Sequence, residues 1–399
     1  MSKALNGIRI LDLTHMLSGP YGAMLLADLG ADMIKVEPLA GEGTRKLLAN
    51  DPENSIDGFG AYYLTLNRNK RSVALNLKSD GGRQVFYDLV KQADVVISNF
   101  GPGVPERLGI DYDTLSAINP RVITCCVSGF GSDGPGAKRP AFDQVAQAYG
   151  GGMSITGEDP ANPVRAGIPI GDLGGGMFAV MGILAAIAER ATSGRGQHVD
   201  ISMVDCQISM LNYMATMHFL SGKNPYPIGN AHFVHVPYNS YATSDGFIII
   251  AVITDNFWQN LKPVVNVPEF DDPKYDGQPG RFADKELIDG KLAEIFATDT
   301  TDAWLEKLEA QRIPCAPINN LEQALNDPQV LHRNMVVEIA HPNGKKTKAP
   351  GNPIKLSRTH EDSFSPAPHI GQHTDQILSE LCGYTQADID ALKDSGDAG

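Results

Sequence analysis

The feature that most constrains this chain is a repeated alternation of short, β-branched apolar runs with helix-length segments across residues 8–128. Residues 8–13 (IRILDL) read as a strand, a Gly-Pro turn leads into a small-residue helix that runs to Leu29, and residues 33–37 read as a second strand. The rhythm continues with strands over 72–77, 94–98 and 122–128 and a helix over 82–92. Strands separated by helices cannot pair as tight hairpins, so the pattern predicts an α/β fold with a doubly wound parallel sheet. Ligands on such sheets gather beyond the carboxyl ends of the strands. The loops to inspect are therefore residues 15–20, 38–45, 99–103 and 129–139. None carries GxGxxG or the phosphate-loop lysine motif, which weakens a dinucleotide or nucleoside triphosphate reading.

Downstream, residues 173–188 read as a buried helix, residues 193–203 as a turn and strand, and residues 204–220 as a second core helix. Residues 222–238 have the Pro and Gly content of a linker. A hairpin follows over 241–254 with Ser244-Asp245-Gly246 at its turn. Two amphipathic helices (284–297 and 302–309), a short strand (314–318) and a second hairpin (335–357, turning at Pro342-Asn343-Gly344) complete the pattern. The tail from Ser395 reads as disordered.

At 399 residues the chain exceeds what one core usually serves, so about two domains are expected. A formal charge of −14 argues against nucleic acid or an anionic membrane as partner, and any anionic ligand must be met by a local basic pocket. Residues 1–8 show no basic segment leading into an apolar stretch, so the cytoplasm is the expected location. The apolar run at 173–188 is shorter than the ~20 residues that cross a bilayer. Cys125, Cys126, Cys206, Cys315 and Cys382 form no CxxC or metal-like spacing, so reduced thiols and no metal are expected.

Asp172, in PIGDLGGGMF, sits between an extended approach and a helix. One reading makes it a helix cap. The other makes it a nucleophile, because Gly174, Gly175 and Gly176 go beyond what a cap requires: each glycine weakens a helical turn by roughly 1 kcal/mol. Backbone N–H groups left bare by these glycines would then serve as an oxyanion site. The basic loop at residues 67–71 (NRNKR), with Lys78 after it, reads either as a solvated cluster or as an anion site. His15, Arg107 and Arg139 are ambiguous in the same way.

Taken in order, the stretches GIRILDLTHMLSGPYGAMLLADLGADMIKVEP, NRNKRSVALNLK, SNFGPGVPERLGIDY, CCVSGFGSDGP, DLGGGMFAVMGILAAI, GRGQHVDISM, VPYNSYATSDG, IPCAPINN and APGNPIKLS resemble the class III coenzyme A transferases. That family includes formyl-CoA:oxalate, carnitine and glutarate CoA-transferases. The resemblance implies a large Rossmann-like domain built from residues 1–224 and a returning segment 326–399, a small α+β domain over 225–325, and an interlocked homodimer. It implies transfer of CoA from a short acyl-CoA to a small mono- or dicarboxylic acid through an aspartyl-CoA thioester on Asp172. Coenzyme A is then a substrate, and no resident cofactor is expected. For CoA contacts it points to His15, Leu17, Ser18, Leu75, Asn76, Lys78, Asn99, Phe100, Gly101, Arg107, Arg139, Phe142 and Asp143. Pro38 departs from the arginine of the oxalate enzyme. Residues 229–238 replace that enzyme's glycine loop, which makes His232 and His235 candidates for the acceptor carboxylate or for a structural role. A racemase branch of the same fold uses a histidine before an aspartate; here the pair is Phe142-Asp143, and phenylalanine cannot exchange a proton.

Overall fold

The computed structural model describes residues 3–359 and 363–399. Strand β1 (Arg9–Asp12) leads through a loop into α1 (Ser18–Asp28) and then β2 (Asp32–Glu37). Next come β3 (Lys70–Ala74), α2 (Asp80–Val90), β4 (Val95–Ser98) and β5 (Ile123–Ser128). The series continues with α3 (Asp143–Tyr149), α4 (Ile170–Ser193) and β6 (His198–Ser202). Among the described residues these six strands form one sheet in the order β3-β2-β1-β4-β5-β6, and every adjacent pair is parallel.

Alternation along the strands sends neighbouring residues to opposite faces. Ile10, Met33, Val95 and Ile97 pack under α1 and α4, while Leu11, Ile34, Val73 and Val96 pack under α2. Helix α2 starts where the Ser79 hydroxyl accepts the Gly82 N–H, and it buries Val85, Phe86, Leu89 and Val90 on one stripe. By length and composition α4 could cross a bilayer, yet its small-residue flank is buried on α1 and the sheet.

The single core helix expected over 204–220 is two helices, α5 (Met203–Leu211) and α6 (Tyr213–Ser221). Asn212, at φ +48°, breaks the hydrogen-bond ladder between them. Only α5 buries side chains; Phe219 and Leu220 on α6 are 81% and 85% exposed. The apolar composition of this stretch concealed the break.

Contact clustering divides the chain into two compact units, Met1–Gly152 with Arg165–Lys223 and Leu331–Gly399, and Met153–Val164 with Asn224–Val330. In the second unit, β7 (Tyr238–Ala242) and β8 (Phe247–Ala251) form the hairpin turning at Ser244-Asp245-Gly246. Helices α7 (Asp255–Val265), α8 (Lys285–Phe296) and α9 (Thr301–Ala310) follow, and β9 (Cys315–Pro317) joins β8 antiparallel. Trp258, Phe270, Leu292 and Phe296 centre its core, and the buried Arg281 donates to the carbonyls of Val236 and Tyr275 and to Asp255.

The chain returns to the first unit with the hairpin β10 (Val336–Ala340) and β11 (Lys346–Pro350), then α10 (Thr374–Cys382) and α11 (Gln386–Asp394). Ile377, Leu378 and Ile389 of the last two helices complete the core beneath α2. The tail expected to be disordered is packed: Ala398 is 3% exposed and bridges Leu75 antiparallel. Its backbone groups find partners on the sheet edge, which composition alone could not reveal.

Candidate active site

The sheet winds outward in both directions from β1 and β4, and a cavity of about 660 Å³ opens beyond the carboxyl ends of β1, β2, β3 and β4. His15, Leu75, Asn76, Lys78, Phe100 and Arg107 all line it, together with Met16, Pro38, Leu39 and Glu42. The first loop is held by Asn99, whose side chain accepts the His15 N–H at 2.9 Å and donates to the His15 carbonyl at 2.7 Å. The His15 ring lies 5.5 Å from that of Phe100. Burial pulls its imidazole below the usual histidine range, which keeps it neutral at pH 7. Met16 next to it holds a left-handed backbone (φ +63°), a strained conformation fixed by this latch.

The cations near the cavity fall into two groups. Arg68 pairs with Asp28 at 2.6 Å, Lys70 with Asp12 at 2.8 Å and Arg71 with Asp32 at 2.7 Å, and Asn67, Arg68 and Lys70 are buried. The basic loop at 67–71 is therefore neither a solvated cluster nor an anion site. Its charges neutralise carboxylates inside the fold. Lys78 and Arg107 are exposed and have no carboxylate partner among the described residues; Arg107 donates only to the Gly103 carbonyl, at 3.4 Å. In a chain of charge −14, two unpaired cations at one cavity make it the candidate anion-binding mouth.

Asp172 lies in the first turn of α4, but it is not the cap. The cap is Asp143, whose Oδ1 accepts the N–H groups of Gly171 at 2.8 Å and Asp172 at 3.3 Å. Asp143 Oδ2 in turn accepts from Gln147 Nε2 at 2.7 Å. Ser18 Oγ donates to the Asp172 carbonyl at 2.8 Å, which ties the nucleophile candidate to the loop that also carries His15. The Asp172 carboxyl has no cation or hydrogen-bond donor among the described residues. Burial first, and the Asp143 charge second, push it up to about 6. Sequence reading missed Tyr62. Burial raises its phenol, and the charges of Asp172, Glu42 and Asp143 raise it further, so the hydroxyl stays protonated beside these carboxylates. No spacing or motif in the sequence singles it out.

The glycines following Asp172 have a different role from the one expected. Gly174, Gly175 and Gly176 are buried beyond the first turn, inside the helical ladder, and their N–H groups are not bare. A Cβ at Gly176 would lie 2.6 Å from the Ser18 carbonyl oxygen, and one at Gly174 would lie 2.8 Å from Met210 Cε. The partners that approach this backbone are α1, at Gly175 and Gly176, and Met210 of α5, at Gly174; Gly22 of α1 answers with a Cβ position 2.8 Å from the Gly176 oxygen.

Other sequence candidates scatter. Leu17 is half-buried where α1 begins, and Gly101 is exposed. The Arg139 guanidinium lies over the rings of Phe130 and Tyr149, at 4.8 and 5.1 Å, and does not line the cavity. Phe142 is exposed at the start of α3. In the second unit, His232 Nδ1 accepts the N–H groups of Val234 and His235, and His235 Nδ1 meets Gln278 Nε2 at 3.1 Å.

The comparisons with known proteins agree with one another. Residues 5–374 match the family described as CoA-transferase family III. The chain is 35% identical to the succinyl-CoA:glutarate CoA-transferase of Mus musculus over 99% of its own length and 90% of the relative's. It is 34% identical to the formyl-CoA:oxalate CoA-transferase of Streptomyces avermitilis over 99% and 100%. A crystal structure of a CAIB/BAIF family protein from Brucella suis superposes with a TM-score of 0.85 at 34% identity, covering 96% of this chain and all of that one. The chain belongs to CoA-transferase family III and is a CoA-transferase.

Proposed function

We propose that the chain moves CoA from a short acyl-CoA donor to a small dicarboxylic acid through covalent intermediates on Asp172. The observation that carries this reading is a half-buried carboxylate with no cation beside it, held at a helix start by Asp143 and Ser18. An anion deprived of water and counter-charge is a better nucleophile than a solvated one. Asp172 attacks the donor's acyl carbon, and the C–S bond breaks to give a mixed anhydride and CoA thiolate. The thiolate attacks the aspartyl carbonyl, which frees the donor acid and leaves aspartyl-CoA. The acceptor carboxylate then displaces the thiolate to form a second anhydride. Thiolate attack on the acceptor's acyl carbon releases the new acyl-CoA and regenerates Asp172. No step needs a proton carrier.

In this reading the cavity holds the nucleotide end of CoA, with Lys78 and Arg107 on its phosphates. Tyr62, whose phenol is raised by burial and by the Asp172 charge, is the candidate hydroxyl donor in place of the glycine run. The relatives named for glutarate and oxalate support a dicarboxylate acceptor. His232 and His235 have their Nδ1 atoms engaged, which leaves Nε2 for any acceptor contact. We place the chain in an interlocked homodimer, a reading supported by the exposed apolar residues of α6.

Mass spectrometry tests the mechanism. The protein is incubated with acyl-CoA donors and quenched with hydroxylamine or borohydride. A label on the Asp172 peptide, lost in Asp172→Ala with turnover down by about 10⁴-fold or more, is the expected result. Full turnover in Asp172→Ala would sink the proposal. Deuterium exchange into a 2-methylacyl-CoA without any label would replace it with racemase chemistry.

A further inference from the structure

We propose that residues 396–399 form a clasp that shapes the wall of the acyl-CoA cavity and sets its affinity for the donor. The inference rests on the reading of that cavity as the CoA site.

Strand β3 is the edge of the parallel sheet, and the chain beyond it, Leu75 to Lys78, lines the cavity. An edge of this kind presents unpaired N–H and C=O groups. Segment 396–399 takes them up. The Gly399 N–H donates to the Ala74 carbonyl at 3.1 Å, Ala398 bridges Leu75, and the Asn76 N–H donates to the Asp397 carbonyl at 2.9 Å. Asn76 Nδ2 reaches the Gly396 carbonyl at 3.3 Å, and Thr374 Oγ1 on α10 holds the Gly399 carbonyl at 2.6 Å. The stretch that carries Lys78 is thus bonded through its back to the clasp, while its front faces the cavity.

The first turn of α2 makes room for this arrangement. A Cβ at Gly81 would overlap the Asp397 carboxylate, and one at Gly82 would overlap the Asn76 carbonyl oxygen before meeting the Asp397 carbonyl oxygen at 3.0 Å. Two adjacent glycines weaken a helix start by roughly 1 kcal/mol each. Gly81 leaves space for the tail, and Gly82 leaves it chiefly for the Asn76 carbonyl of the cavity wall. Without the clasp, the Ala74 carbonyl and the Asn76 N–H would lose their partners on that edge, leaving only the Ala74 N–H held by Thr374 Oγ1 at 3.2 Å, and the wall presenting Lys78 would move.

The test is steady-state kinetics on the full chain and on two variants, one lacking residues 397–399 and one carrying Gly81→Ala, with acyl-CoA and carboxylate varied separately. Gly81→Ala keeps the whole chain and carries the test where the shortened protein fails to fold. The expected result is a rise in KM for acyl-CoA of about 10-fold in the shortened protein. Gly81→Ala should move KM in the same direction by less. In both, kcat and the acceptor KM stay within about twofold. Lys78→Ala in the full chain separates the two readings. If Lys78→Ala raises the acyl-CoA KM and neither clasp variant does, the clasp is wrong. A uniform loss of activity that follows thermal stability would also overturn it. If Lys78→Ala leaves KM unchanged, the cavity is not the CoA site and the clasp proposal falls with it.

Discussion

Lys70 and Lys78 stand at the two ends of one short stretch and meet opposite fates. Lys70 is fully buried against Asp12, and burial pulls its ammonium down to about 8 even though Asp12 opposes that shift. Lys78 is exposed at a cavity mouth with no carboxylate partner among the described residues. The carboxylates divide in the same way. Asp12 is buried, but Lys70 and Lys35 outweigh that burial and hold it below the usual range. Asp172 is half-buried with only Asp143 for company, and it is pushed up to about 6. Charges that build the fold are neutralised within it. The charges proposed to meet substrate are kept apart from their opposites, and that separation is what makes them candidates.

The largest expected effect comes from breaking a paired charge. Lys70→Met strands Asp12 in the core and should cost about 3–5 kcal/mol in denaturant unfolding. The double variant Asp12→Asn, Lys70→Met should recover most of that loss. Equal stability of the single and double variants would break the comparison.

Removing an unpaired charge should do the reverse. Lys78→Ala or Arg107→Ala should raise the acyl-CoA KM about 10–100-fold, with the unfolding midpoint unchanged. A fall in stability without a change in KM would show that these cations are structural.

The pH dependence sharpens the carboxylate half. On the proposed mechanism Asp172 reacts as an anion, so kcat/KM should fall tenfold per pH unit below about 6 and level off above it. Asp143→Asn removes the neighbouring negative charge, so the inflection should move to lower pH. An unmoved inflection would assign the titration to another group.

The smallest effect is on stability. The folded pKa of Asp172 lies above its ordinary 3.8, so the folded state binds this proton more tightly. Its contribution is complete below about pH 4 and is lost as pH rises through about 6. Asp172→Asn should therefore match the parent at pH 4 and exceed it by about 1 kcal/mol at pH 8, a figure reduced for partial exposure. Equal stability at both pH values would mean that Asp172 is better solvated than its surroundings indicate.

The parallel sheet was legible because apolar β-branched runs spaced by helices leave few alternatives, and β1, β2, β4 and β5 lie within a residue or two of their expected limits. Asp172 stood out as a candidate because a carboxylate shortly before three glycines is an unusual start to a helix. Local pattern fixed these features, since period and turn chemistry act over a few residues. Contacts between distant residues decided the rest. Asp143, not Asp172, caps α4; the glycines admit α1; the basic loop finds Asp12, Asp28 and Asp32; and the tail beyond Ser395 joins the sheet edge. No local rule reaches those partners, because whether a charge is paired or a glycine is crowded depends on what the fold brings against it from elsewhere in the chain.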